Sequence, residues 1–427
     1  MWLIGFLVVD IIVLTLYFKT EPDPHARVEW SRTATPEGYL PPFGAATLRL
    51  LALDGREGVF VAGGEGQPDV ILAFVDGVIK PVANIPKHKT ADGRPVLTYS
   101  AVCHDINGDG VDDLLIGRTD GIHMVEQSAS GFSVSCIYKI PAGTVPMALT
   151  LSDFDNSGMP SIFVATYVVY RDLKMLSFSR EGTVRNMLLK KEQDGWRDIA
   201  AALGVDGNRN SWDAKFVDLN NSGRDDLVVA NDEGRVEVYR NMGDGTFAEL
   251  VIDTMQGAWM GIGVGDINGN GRKDLFFSNM GSTMQPLALW NSLKYMIGLS
   301  DRKIPDDFTH DHTVWINNGD YNFTVERNQI HGAIGWGAMI HDTNGDGRGD
   351  IIMAQNTGKV PWQRLRIMRD IGGVYISRGD GTFIRDHTHA YNPYYGIKPI
   401  LWDFAGTGKR LAWVNHDDPV IMLCYTS

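Results

Sequence analysis

The sequence predicts an all-β fold, a seven-bladed β-propeller with four-stranded blades, carried behind an N-terminal transmembrane helix and interrupted by two short helical insertions. Three observations point there: one phrase recurs seven times, glycine is abundant, and a single long apolar run sits at the N-terminus. The chain has 427 residues, which on length alone fits about two to four domains of ~100–200 residues. An internal repeat overrides that division. Its 48 Gly are about 11% of the chain, against an average near 7%, and imply many tight turns.

From residue 45 onward an apolar strand ends in Asp, a Gly-rich loop follows, and a second apolar strand closes the phrase. The clearest copies are AVCHDINGDGVDDLLIG (101–117), KFVDLNNSGRDDLVVAN (215–231), GVGDINGNGRKDLFFSN (263–279) and MIHDTNGDGRGDIIMAQ (339–355). Weaker copies are LALDGREGVFVAG (51–63), TLSDFDNSGMPSIFVAT (150–166) and LWDFAGTGKRLAWVN (401–415). The leading acids are Asp54, Asp105, Asp153, Asp218, Asp266, Asp342 and Asp403. Seven anchors over about 400 residues give roughly 57 per unit, somewhat above the ~40–50 of a four-stranded blade.

Each unit holds two further strands. After DDLVVAN come RVEVYRN, the turn MGDGTF and FAELVI; GGVYISR, GDGTF and FIRDHT repeat that order near residue 380. A unit therefore reads as a four-strand meander. The seventh stops early, after LAWVN and VIMLCYT. The unclaimed residues 28–34 (VEWSRTA) are expected to supply its missing strand, close the ring and remove an open edge. Two units are overlong. LALWNSLKYMIG (287–298) and VPWQRLRIMRDIG (360–372) have apolar residues at helical spacing, and both fall between the second and third strands of their blades. In a meander that puts both on the face opposite the Asp loops.

The 39 Lys and Arg against 52 Asp and Glu give a formal charge of −13, which argues against a nucleic-acid partner. A composition 44% hydrophobic and 21% charged is globular. Cys103, Cys136 and Cys424 lie far apart, so neither a disulfide framework nor a zinc ribbon is on offer.

Trp2 to Phe18 read WLIGFLVVDIIVLTLYF; 17 residues of helix span roughly 25 Å, the short edge of a bilayer crossing. No Lys or Arg precedes the run and no small-residue cleavage site follows it, which favours a signal anchor (1–18) over a cleaved signal peptide. Asp10 lies mid-helix, where an acid is costly in lipid and marks contact with a membrane partner. Residues 19–27, with Pro22 and Pro24, read as an extended linker, and 28–427 as the propeller.

Four loops share the form Asp-x-Asn-x-(Asp/Asn/Ser)-Gly-x-x-Asp. Oxygen donors at positions 1, 3, 5 and 9 with a carbonyl at 7 suit hard-oxygen coordination of Ca²⁺, and Gly at 6 permits the sharp turn. The candidate ligands are Asp105, Asn107, Asp109, Val111 and Asp113; Asp218, Asn220, Ser222, Arg224 and Asp226; Asp266, Asn268, Asn270, Arg272 and Asp274; and Asp342, Asn344, Asp346, Arg348 and Asp350. Val111, Arg224, Arg272 and Arg348 would contribute only backbone oxygen. Position 12 is Ile116, Val229, Phe277 or Met353 and the flanks are strands, so an EF-hand is excluded. Metal-free Asp/Asn/Gly turns are the alternative, which the identical spacing in four copies disfavours. Four ions would bring the charge from −13 to about −5. The loop of Asp153 and Asp155 has Ser161 at position 9 and is expected to be weak or empty.

The phrase VDLNNSGRDDLVVANDEGRVEVYRNMGDGTF (217–247) resembles the FG-GAP/VCBS repeat of integrin α-subunit heads and bacterial surface proteins. WMGIGVGDINGNGRKDLFFSNMG and GWGAMIHDTNGDGRGDIIMAQN resemble more narrowly the cartilage acidic protein group. The resemblance covers about residues 45–415. It implies a seven-bladed propeller, calcium loops between first and second strands, and the opposite face as ligand surface. It speaks to fold more than to function.

Other chemistry is sparse. Arg348-Gly349-Asp350 and Arg378-Gly379-Asp380 spell RGD inside a calcium loop and a hairpin turn, so neither reads as an integrin ligand. His310/His312, His387/His389 and His416/Asp417 lack a metal-binding spacing. Trp212, Trp259 and Trp336 precede their loop acids by six or seven residues; packing between blades is favoured over a sugar-stacking platform. No GxSxG, Walker, HExxH or GxGxxG-before-helix pattern occurs, so no enzyme is expected. The expected protein is a single-pass, extracytoplasmic, calcium-binding propeller with its N-terminus inside, a bacterial periplasm favoured. It would serve as an accessory scaffold of a membrane complex, docked through the N-terminal helix and one face. A carbohydrate-binding propeller is the alternative, and a polysaccharide-acting enzyme ranks third.

Overall fold

The computed structural model describes residues 28–33, 43–90, 93–168, 184–279, 306–327, 329–330, 334–355, 372–386, 391–392, 396–403, 405–406, 408–415 and 420–423. The expected membrane helix with Asp10, the linker, the insertion 287–298 and the second insertion up to residue 371 lie outside them. Among the described residues no helix is long and apolar enough to cross a membrane.

Seven antiparallel sheets follow one another along the chain. The first four are β1 (Ala45–Arg49), β2 (Glu57–Val61), β3 (Asp69–Val75) and β4 (Val78–Ile85); β5 (Thr98–His104), β6 (Asp113–Arg118), β7 (Gly121–Ser128) and β8 (Gly131–Tyr138); β9 (Thr144–Ser152), β10 (Ser161–Val168), β11 (Met187–Glu192) and β12 (Gly195–Asp198); and β13 (Asn210–Val217), β14 (Asp226–Gly234), β15 (Glu237–Asn241) and β16 (Phe247–Leu250). After a short added strand β17 (Gly257–Ala258) come β18 (Gly261–Gly265), β19 (Asp274–Ser278), β20 (Thr313–Asn317) and β21 (Phe323–Arg327), then β22 (Gly335–His341), β23 (Asp350–Gln355), β24 (Gly372–Ser377) and β25 (Phe383–Arg385). A second added strand, β26 (Tyr391–Asn392), precedes the last sheet of β27 (Gly396–Trp402), β28 (Arg410–Asn415) and β29 (Ile421–Leu423). Neighbouring first strands lie side by side from β1 through β5, β9, β13, β18 and β22 to β27, and β27 meets β1 again. Lys398 Nζ donates to Ala45 O at 3.1 Å and Trp402 Nε1 to Glu57 O at 3.1 Å across that closure.

Among the described residues six sheets are thus four-stranded propeller blades, two of them with a short added strand, and the last has three strands, where seven four-stranded blades were expected. Of the segment 28–34, the described residues 28–33 do not form the last sheet's fourth strand. Val28 instead forms a parallel bridge to Ile79 in β4, and Glu29 N donates to Ile79 O at 2.9 Å. Arg32 still reaches the last sheet, through a 3.1 Å bond from Nη1 to Asn415 O. Val28 and Trp30 pack as partly buried apolar side chains against the central core cluster, and that burial favours this attachment over a ladder at the edge of β29.

Second strands are sandwiched by both neighbours and read as continuous apolar runs. Every residue of β10, SIFVATYV, is buried. Phe276 and Phe277 of β19 are fully buried on opposite faces, each worth about 1.5–3 kcal/mol of burial. In β18 the phrase Gly-Ile-Gly-Val-Gly lets β22 come close: a Cβ on Gly265 would lie 2.4 Å from Ile340 Cγ2. Long connections between second and third strands are placed as expected, between β19 and β20 and between β23 and β24, and a third joins β10 to β11. The sequence reading missed that third one, residues 169–186, because its polar stretch carries no helical period.

Candidate functional site: the Asp loops and the channel they surround

The four loops share one backbone network. In the loop after β5, Asp105 Oδ1 accepts from Gly108 N at 2.8 Å and Asp109 N at 3.1 Å, while Oδ2 accepts from Gly110 N at 2.8 Å. Asn107 Oδ1 accepts from Asp109 N and Asp109 Oδ1 from Val111 N, at 2.9 and 2.8 Å. Asp266 and Asp342 repeat all of these bonds with Asn268, Asn270, Arg272 and with Asn344, Asp346, Arg348. Asp218 keeps the bonds from Ser222 N and Gly223 N. Short side chains that accept from the backbone two to five residues on are what bend each loop.

The acids at position 9 have a further task. Asp226, Asp274 and Asp350 accept at Oδ2 from the second residue of their own loop, Leu219, Ile267 or Thr343, and at Oδ1 from the last residue of the third strand, Asn241, Asn317 or Ser377. Those last residues then reach the preceding blade. Asn241 Nδ2 donates to Phe154 O at 2.8 Å, Asn317 Nδ2 to Leu219 O at 2.7 Å and Ser377 Oγ to Ile267 O at 2.8 Å. Gln127 fills a related place in β7, bonding Arg49 O and Asp112 O. Asp226, Asp274 and Asp350 therefore help pin their blades to the ones before. The sequence signal was the phrase Asn/Ser-x-Gly-Asp in RNMGDGTF, INNGDYNF and ISRGDGTF, which reads as a hairpin turn until the blades are stacked. Burial pushes Asp113 and Asp226 up from the usual carboxylate range and Asp274 to about 6.

The donor set fits a hard divalent ion: carboxylate, amide and hydroxyl oxygens, without sulfur or imidazole. Asn220 Oδ1, at position 3, is buried without a hydrogen-bond partner, an oxygen that a cation in the loop would satisfy. Among the described residues no three His, Cys, Asp or Glu side chains gather at metal-holding distance, so the structure does not bring the three acids of the Asp105 or Asp342 loop together. In the fifth loop Asp153 keeps its bonds from Ser157 N and Gly158 N. Asp155, however, pairs with the Lys190 ammonium, which holds it below the usual carboxylate range against its burial. A lysine stands where the other loops would take a metal.

The remaining candidates sort by position. Asp350 of the first RGD is fully buried and bonded on both oxygens, out of reach of any receptor. Asp380 of the second folds onto Thr382, accepting from its N at 3.0 Å and Oγ1 at 2.6 Å. His312 is buried and accepts from Asn279 N through Nδ1, and His310 meets Phe308 edge to face with ring centroids 5.0 Å apart; the other two His groups lie outside the described residues. Burial raises the Cys103 thiol to about 12, an inert cysteine.

Trp259 packs between the fourth and fifth sheets, as expected. Trp212 and Trp336 do not. Register skips at Ser211/Asp213 and Gly335/Gly337 turn them into the central channel, where they lie 5.4 Å apart and 5.5 and 5.9 Å from Phe43. Bulges re-aim side chains in this way, and a pattern that counts from the loop acid cannot show one. Beside this plug is a cavity of about 100 Å³ that Asp213, Lys215 and Lys398 also line, three charged residues the sequence reading had not singled out.

The FG-GAP-like repeat model matches residues 218–277, from the first loop acid of the fourth sheet through the second strand of the fifth. No curated protein matches the chain. Among solved structures, BBS1N in complex with ARL6DN, soaked with mercury, aligns with TM-score 0.52 and 10% identity over 93% of this chain and 97% of that one. Its lead-soaked counterpart gives 0.51 with the same identity and coverage. An Agrocybe aegerita protein described as recognising non-reducing terminal N-acetylglucosamine aligns at 0.46, with 16% identity over 87% and 88%. At these identities the likeness is one of fold.

Proposed function

We propose that this chain is a calcium-stiffened propeller that serves as a non-enzymatic interaction scaffold, held at a membrane by residues 1–18 with the propeller on the extracytoplasmic side. The observation that carries the reading is the division of labour between two faces. One face bears the Asp loops, each tied into its blade by a position-9 acid and, in three blades, pinned to the blade before. The other bears all three long connections, after β10, β19 and β23, and a partner would engage that face. The three-stranded last sheet acts as a seventh blade, consistent with its contacts to both β22 and β1.

Calcium would sit on the side-chain oxygens at positions 1, 3, 5 and 9, led by the loops of Asp105 and Asp342, which carry three acids each. Extracellular sites of this kind work at ~10⁻⁴–10⁻³ M, which suits an extracytoplasmic compartment. The glycan alternative has less support, since Trp259 is spent in the blade core.

Cross-linking mass spectrometry on native membranes tests the reading. Cross-links from Lys273 and Lys409, on the loop face, should stay within the chain, while those from Lys174 or Lys294, in the long connections, should reach membrane subunits. Partner cross-links confined to the loop face, or none at all, would reject the scaffold role.

A further inference from the structure

We propose that the central channel holds a binding site for a small monocarboxylate with an apolar body, the carboxylate on Lys398 and the body against Trp212, Trp336 and Met260. The cavity measures about 100 Å³ and its walls come from Phe43, Tyr99, Met147, Met260, Trp212 and Trp336 together with Asp213, Lys215 and Lys398. An engineered cavity of ~150 Å³ takes benzene, so this one suits an acid of about four carbons.

The charges select a monoanion. Asp213 is fully engaged: Oδ1 accepts from Lys215 Nζ at 2.8 Å and from Ala214 N at 2.9 Å, and Oδ2 accepts from Ile262 N at 3.0 Å. Lys215 is thereby neutralised in place. Asp213 also acts on Lys398 through space, but its bonds go to Lys215, Ala214 and Ile262; Lys398 Nζ donates to the carbonyl of Ala45 at 3.1 Å, which uses one of three ammonium protons. Burial, with Lys215 nearby, brings its pKa down to about 8 against the pull of Asp213, so at neutral pH it is mostly an ammonium. Two ammoniums and one carboxylate leave the cavity lining one net positive charge, which matches one carboxylate, while a phosphate dianion would bring a second charge without a partner. A few convergent polar groups in an apolar cleft are the ordinary makeup of a small-molecule site, and a lysine shifted by burial within one adds weight. Closure of the ring builds this site, since Lys398 and Lys215 come from sheets separated by two others in the chain.

Calorimetry and tryptophan fluorescence on the full chain, with sodium butyrate, sodium acetate and inorganic phosphate as probes, test the site. Butyrate should bind more tightly than acetate and perturb the indole emission, and phosphate should do neither. Lys398→Met should weaken butyrate by at least about tenfold, the usual cost of losing a charged hydrogen bond, while Lys398→Arg keeps most of the affinity. In the wild type, affinity should fall as pH rises past about 8, when the ammonium loses its proton; Lys215 and Asp213 are the other charged groups facing it. That pH series decides the matter if Lys398→Met does not fold. Absence of butyrate binding, binding unchanged in Lys398→Met, a flat pH series, or preference for phosphate would each overturn the site.

Discussion

Asn317→Ala should be among the most damaging single changes outside the apolar core. Asn317 is fully buried and makes three side-chain bonds: Nδ2 donates to Leu219 O at 2.7 Å in the preceding blade and to Lys273 O at 3.1 Å in its own, and Oδ1 accepts from Gly319 N at 2.9 Å. Alanine leaves two carbonyls and one N–H without these partners. A typical internal bond contributes about 0.5–1.5 kcal/mol net, and a stranded buried group costs about 1–3, so a loss near 3–4 kcal/mol is expected once partial rehydration is allowed for. Asn317→Asp should be no better, because a carboxylate would face two carbonyl oxygens and the Asp274 carboxylate. Urea unfolding in chelator, monitored by tryptophan fluorescence, measures the loss, with an unchanged m-value as the sign that the unfolding unit is the same. Asn318→Ala is the matched control: its side chain is exposed and bonds only Thr324 Oγ1, so it should stay within about 0.5 kcal/mol. Equal losses in the two variants would refute the idea that these residues hold the blades together.

Three further outcomes are expected. Gly265→Ala should destabilise by about 1–3 kcal/mol, since its Cβ would fall 2.4 Å from Ile340 Cγ2; a thermal melt within error of the wild type would show that β18 and β22 can part freely. Burial raises Asp232 to about 6 while Tyr167 donates to it at 2.6 Å. The folded state then binds more protons than the unfolded between pH of about 4 and 6, so stability should fall as pH rises through that window, by roughly 1–2 kcal/mol after allowing for its partly buried position. Asp232→Asn should flatten that part of the stability–pH curve, and an unchanged slope would assign it to other groups. Lys190→Met should cost about 1–3 kcal/mol by leaving the Asp155 carboxylate without its cation, with calcium restoring part of the loss; a neutral result would mean that Asp155 relaxes to solvent.

What the sequence revealed and what it hid follow from the range of the forces involved. The loops were legible because Asp105, Asn107, Asp109 and their counterparts set their own turns through bonds within five residues. The meander was legible because second strands such as β10 are buried on both faces and carry an unbroken apolar run. The pins made by Asn241, Asn317 and Ser377 were hidden, since each bonds a carbonyl 87 to 110 residues away that only blade stacking brings near. Trp212 and Trp336 were misplaced because one-residue register skips turned them from the blades to the channel. Residues 28–33 were given to the wrong sheet: an edge needing a strand and an apolar segment needing burial were legible, but their pairing was decided by the contact of Val28 with Ile79.

The most direct measurement compares thermal unfolding in chelator and in millimolar calcium for the wild type and for a variant carrying Asp105→Asn, Asp218→Asn, Asp266→Asn and Asp342→Asn. A free ion at about ten times its dissociation constant adds roughly 1.4 kcal/mol per site, so wild-type Tm should rise by several degrees in calcium. The variant should respond little. A wild-type Tm indifferent to calcium, or a variant that gains as much as the wild type, would contradict calcium stiffening through these loops.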